Sequence, residues 1–175
     1  MSRPAVYTVG SGTRTLEEFL DLLRLLGIEL LVDVRHFPGS RRFPHFGREA
    51  LAAALADAGI GYVWLGEDLG GYRPGGYERH METQAFERGL TRLEDLARAH
   101  TVAVMCAERL PWRCHRRFIA DRLVARGWNV VHAIDARHAW RPREWGEPSG
   151  TLSLEEARKT HFARGIPGKE GMPKP

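Results

Sequence analysis

Cysteine is almost missing from this 175-residue chain, and the two that occur, Cys106 and Cys114, are too few for a disulfide framework. A structural disulfide is therefore not expected. Lysine is also scarce: only Lys159, Lys169 and Lys174 stand among the 26 basic residues, and the rest are arginine. No apolar run is long enough to span a bilayer, because Arg24 and Glu29 interrupt the richest one. The segment from Met1 to Gly10 lacks a charged-then-apolar leader. These absences lead to the expectation of a cytoplasmic protein with no membrane partner. No Gly-Lys-Ser/Thr phosphate loop occurs, and Cys106, Cys114 and His115 lack a zinc spacing and a fourth ligand. Neither a metal nor a bound cofactor is expected.

With 43% hydrophobic and 27% charged residues the composition is that of one globular domain. Arginine suits bidentate contact with phosphate or carboxylate, although a GC-rich genome would produce the same bias. Residues 1–135 carry 18 Arg against 17 acids, net +1, whereas residues 136–175 carry eight basic residues against five acids, net +3. The second segment, broken by Pro142, Gly146, Pro148 and Gly150, reads as a basic extension with one short helix from a Ser153/Glu156 capping box. Trp140 and Trp145 are large for a free tail and should pack back on the domain.

Within residues 1–135 the periodicity predicts strands over 6–9, 29–34, 62–65, 101–105 and 128–134. Helices are predicted from the Thr15/Glu18 capping box to Gly27, over 48–58, over 83–100, and from Pro111 to Arg126. Five apolar strands alternating with four helices imply an α/β fold: a three-layer, Rossmann-like domain with a mainly parallel five-stranded sheet. Residues 66–76 hold five glycines and a proline, which speaks against regular structure and for a ligand-covering loop.

In such sheets ligands bind beyond the carboxyl ends of the strands, and most chemically interesting residues fall there. Strand one is followed by Gly10, Ser11 and Gly12, a partial dinucleotide fingerprint or simply a tight turn whose amides could meet an anion. Strand two is followed by Asp33, Arg35, Ser40 and Arg41 in a stretch, 35–48, that has no acidic residue. Strand four is followed by Cys106, Glu108, Cys114, His115 and Arg116. Strand alternation would point Cys106 and Glu108 to one face. A carboxylate there raises the thiol pKa, so a nucleophilic Cys106 needs a compensating cation; a small core residue is the alternative. His115 falls on the inward stripe of the last helix, either as a core histidine or as an acid/base group.

The motifs DVRHFPGSRRFPHF (33–46), LGG (69–71) and above all CAERLPWRCHRRFIADRL (106–123) resemble the domain-of-unknown-function 488 family over residues 6–134. The resemblance implies a fold and a residue set, and no reaction. Family members carry Gly-His-Ser after strand one, where this chain has Gly10-Ser11-Gly12. If that histidine acts in catalysis, its replacement by Ser11 removes or alters the activity. Two functions follow from the residues. One is an enzyme, a hydrolase or transferase, for a phosphate-bearing substrate such as a nucleotide or nucleic-acid component. In it Arg35, Ser40, Arg41, Arg116 and Ser11 bind the substrate, and Cys106, Glu108, His115 and Asp33 form the catalytic set. The other is a non-catalytic nucleic-acid-binding module.

Overall fold

The computed structural model describes residues 5–142 and 150–157. In chain order the elements are β1 (Val6–Gly10), α1 (Leu16–Leu25), β2 (Leu30–Asp33), a 3-10 turn (Pro44–Phe46) and α2 (Arg48–Asp57). Next come β3 (Gly61–Trp64), the single-turn helices α3 (Gly66–Leu69) and α4 (Tyr77–His80), α5 (Gln84–Ala99) and β4 (Val102–Cys106). A second 3-10 turn (Pro111–Arg113) precedes α6 (Arg116–Ala125), β5 (Val130–Ala133), β6 (His138–Arg141) and β7 (Gly150–Ser153). Among the described residues no helix is long and apolar enough to cross a membrane.

The sheet runs β3-β2-β4-β1-β5-β6-β7, with the first five strands parallel. The fold is thus α/β and mostly parallel, but the sheet is mixed: β6 and β7 join antiparallel after β5. Sequence periodicity did not reveal them, because strands of four residues between prolines and glycines carry too little pattern. Residues 138–141 and 150–153 extend the sheet, and Trp140 does pack back, its ring stacked 5.3 Å from that of His132. The Ser153/Glu156 box forms, with Glu156 N donating to Ser153 Oγ at 3.1 Å and Ser153 N to the Glu156 carboxylate at 3.0 Å. Trp145 and the remainder of the expected helix lie outside the described residues.

Strand alternation divides the core into two. Tyr7, Val9, Leu31, Ala103, Met105 and Val131 face Phe19, Leu22 and Leu23 of α1 and Leu51 and Leu55 of α2. Val6, Val32, Val104, Cys106 and Val130 face Phe86, Leu90 and Leu93 of α5 and Ile119, Ala120 and Leu123 of α6. The chain leaves β1 over the first face toward β2 and leaves β4 over the second toward β5. Because these neighbouring strands send their connections apart, a crevice opens beyond their carboxyl ends.

The glycine-rich stretch contains regular structure after all. Gly66–Leu69 forms one helical turn because Leu69, fully buried, anchors it against α5. The last predicted helix is instead divided. Pro111–Arg113 is a separate 3-10 turn, and α6 starts at Arg116 with His115 at its N-cap.

Candidate functional site

A crevice of about 1280 Å³ lies at this switch point, lined by the loops after β1, β2, β3 and β4. Its floor is set by close backbone approach. Gly10 pairs in register with Cys106, and a Cβ on Gly10 would strike the Glu108 carbonyl and the Arg109 backbone. Ser11 N donates to Cys106 O at 3.0 Å and Gly12 N to Ala107 O at 2.8 Å. The amides of the first turn are therefore spent on the β4 loop and are not offered to an anion. Ser11 itself lines the crevice, buried.

The loop after β4 brings both cysteines together. Cys106 Sγ and Cys114 Sγ are 2.6 Å apart, buried, and both border the crevice as free thiols. Behind them lies Arg116, fully buried. Alternation aims Thr8, Cys106 and His132 at the α6 face, and Arg116 in the first turn of α6 meets them there. Its Nε donates to Cys106 Sγ at 3.0 Å, Nη1 to Thr8 Oγ1 at 2.9 Å and Nη2 to Glu108 O at 2.6 Å. Among the described residues no carboxylate pairs with it. Thr8 Oγ1 in turn shares a 2.5 Å hydrogen bond with His132 Nδ1.

The environments of the two thiols differ. The Cys114 thiol is pushed down to about 3, first by its hydrogen bond with Cys106 and then by His115 and Arg116, against the opposing effect of burial. Burial, and then the same sulfur–sulfur hydrogen bond, raises Cys106. The two directions make Cys114 the more acidic sulfur, and the first amide of α6, Arg116 N, also points at it at 3.4 Å. His115 Nδ1 stands 3.5 Å from Cys114 Sγ, while its Nε2 donates to Val34 O at 2.9 Å. That bond fixes the ring so that Nδ1 faces the sulfur.

Not every expected residue joins this unit. Asp33 pairs in register with Met105 and shares its face, the α1/α2 side, opposite to Cys106. There, fully buried, it accepts from Arg35 Nε at 2.9 Å, Arg35 Nη2 at 2.8 Å and Tyr62 hydroxyl at 2.5 Å. Burial raises the Tyr62 phenol, with Asp33 adding to it, so the phenol stays a donor. Arg35 also donates to Phe46 O at 2.8 Å. Asp33 does not border the crevice, and Arg35 borders it while its Nε and Nη2 are bonded to Asp33 and its Nη1 to Phe46 O. Arg41 is exposed and outside the lining, whereas Ser40 lines it while its hydroxyl accepts from Phe43 N. Arg116 is behind the floor rather than in the crevice. Glu108 turns outward instead of sharing the Cys106 face; it is exposed at the rim, where its carboxylate accepts from Leu110 N. The residue at the end of a strand does not carry alternation past the strand.

The sequence reading missed Cys114 as the sulfur beside His115 and the helix terminus. It also missed Arg73, Arg109, Arg113 and Arg117, which line the crevice with Arg35, while Glu108 is the one carboxylate among the lining residues. Three aromatics of the lining are exposed: Phe37 (68%), Tyr72 (86%) and Trp112 (43%). For Arg109, Arg113 and Arg117 the available signals were the acid-free stretch 109–120 and its Pro111-Trp112 pair. Among the described residues no three His, Cys, Asp or Glu side chains are placed to hold a metal ion.

Fold and site together define an α/β protein with a thiol pair at the floor of an arginine-lined crevice. Residues 15–123 match the family model described as Domain of unknown function DUF488, and the chain belongs to that family. No match was found among curated proteins or among solved structures.

Proposed function

We propose that the protein is an enzyme that transfers or hydrolyses the phosphoryl group of a small phosphate-bearing substrate, with Cys114 as nucleophile and His115 as its acid/base partner. The observation that carries this is the Cys114–His115 contact, oriented by Val34 O and opening onto a crevice whose lining is rich in arginine. A nucleophile, a base within reach and a third group that orients the base are the elements of covalent catalysis. Cys114 attacks phosphorus as its thiolate and the bond to the leaving oxygen breaks; protonated His115 gives its proton to that oxygen. Water, deprotonated by the now neutral His115, then cleaves the S–P bond, and the Cys114 thiolate and protonated His115 are restored. Arg109, Arg113 and Arg117 supply the planar donors that suit phosphate.

The aromatic rim supports a nucleotide as the substrate. Tyr72 holds a left-handed φ of 58°, which costs a non-glycine residue about 1–2 kcal/mol. In that conformation it projects, 86% exposed, 6.0 Å from Phe37, as a stacking surface for a base. The same rim favours the second reading, a nucleic-acid-binding module without catalysis.

p-Nitrophenyl phosphate and nucleoside 5′-monophosphates are the probes. Expected are phosphate release, protection of Cys114 from iodoacetamide by the nucleotide, loss of turnover in Cys114→Ser, and a fall of roughly 100-fold or more in His115→Asn. Full turnover in Cys114→Ser, or neither turnover nor protection with any probe, overturns the reading. Binding of oligonucleotides without turnover, steeply weakened by salt, would establish the second reading instead.

A further inference from the structure

We infer that Cys106 and Cys114 are a reversible redox pair: a hydroperoxide oxidises Cys114, Cys106 closes a disulfide onto it, and the buried Arg116 keeps the reduced pair the favoured form. The inference rests on the part of the preceding reading that makes Cys114 the reactive sulfur, and not on the phosphate substrate. It goes beyond that reading by giving a role to Cys106, which takes no part in phosphoryl transfer.

Position supports it first. The sulfurs are already 2.6 Å apart, and a disulfide at ~2.05 Å lies about half an ångström further on. Both border an open crevice that a small peroxide can enter. The chemistry balances in two steps. Cys114 thiolate attacks the terminal oxygen of ROOH, the O–O bond breaks, and with one proton ROH leaves and Cys114–SOH forms. The Cys106 thiol then displaces the hydroxyl, giving the disulfide and water. A dithiol reductant reverses this by exchange, being oxidised in turn to its own disulfide.

Charge gives the direction of the balance. Arg116 is fully buried, its guanidinium bonded to sulfur, a hydroxyl and carbonyls, with no carboxylate beside it among the described residues. A buried guanidinium needs an anion, and the sulfur pair is the group in contact that can provide one. Oxidation removes that anion and leaves the cation alone. A disulfide ordinarily stabilises a fold, by constraining the unfolded chain. Here the oxidised protein should melt below the reduced one, and the disulfide should be readily reduced.

The test uses the wild-type chain treated with hydrogen peroxide, followed by thiol titration, intact mass and thermal melting. Expected are the loss of both thiols, a mass lower by about 2 Da, a melting temperature several degrees below that of the reduced protein, and full recovery with dithiothreitol. Cys106→Ser should instead accumulate a dimedone-reactive sulfenic acid on Cys114. Retention of both thiols, oxidation to sulfinic or sulfonic acid without a disulfide, or an oxidised form that melts above the reduced one overturns the inference. Phosphomonoester turnover of the reduced protein is measured alongside. Disulfide formation without turnover removes the phosphate reading and leaves the redox pair, and turnover without a disulfide does the reverse.

Discussion

His132 should make the fold sensitive to acid. It is fully buried beside Arg116, and burial, then that cation, lowers its imidazole to about 3 from the 6.5 of an unfolded chain. The neutral ring is therefore the folded form. The sign follows: the unfolded chain takes up a proton below 6.5 that the folded one refuses until about 3. Stability is fully present above 6.5 and is lost as pH falls toward 3. Each pH unit in that window is worth about 1.4 kcal/mol, so the whole span amounts to roughly 5 kcal/mol, comparable to the total stability of a small domain. Between pH 6.5 and 5 the loss is about 2 kcal/mol. Urea unfolding followed by tryptophan fluorescence at several pH values measures it, with His132→Asn as the comparison. Asparagine keeps an acceptor for the Thr8 hydroxyl but cannot titrate. It also loses the stacking on Trp140, which lowers stability at every pH and leaves the slope interpretable. The wild-type slope should exceed that of the variant by about one proton over this window. Parallel curves would refute the reasoning, showing that the folded protein accepts a charge at His132 beside Arg116.

Two further substitutions separate structure from chemistry. Asp33→Asn leaves Arg35 buried without its counter-ion and should cost about 3–5 kcal/mol, or roughly 10 °C in melting temperature, while the reactivity of Cys114 on the other face is unchanged; a melting temperature within experimental error of wild type would contradict it. Gly10→Ala forces a methyl group against the Glu108 carbonyl that holds Arg116, so it should cost about 1–3 kcal/mol by calorimetry and alter the alkylation rate of Cys114 as well; a stability loss with unchanged alkylation would show that this loop does not tune the sulfur pair.

Much of this protein was written in local pattern. The five parallel strands, the Thr15/Glu18 cap and the Ser153/Glu156 cap follow from alternation and from side chains that satisfy helix amides within four residues, interactions that any chain segment carries with it. The convergence of Ser11, Cys106, Glu108 and His115 on one crevice followed from the rule for parallel sheets. What local pattern could not determine was partnership. Arg35 and Arg116 look alike in sequence, yet register delivers Asp33 to the first, while α6 aims the second at the Cys106 sulfur with no acid beside it among the described residues. Cys106 and Cys114, eight residues apart with a turn between them, become neighbours only when the loop closes over Gly10. Likewise β6 and β7 gain their identity from the open edge of β5, whose unpaired amides and carbonyls take up strands too short to declare themselves. Periodicity fixes which way a side chain points, a property of the backbone alone; the charge it meets there depends on segments a hundred residues away, and only the folded chain brings them together.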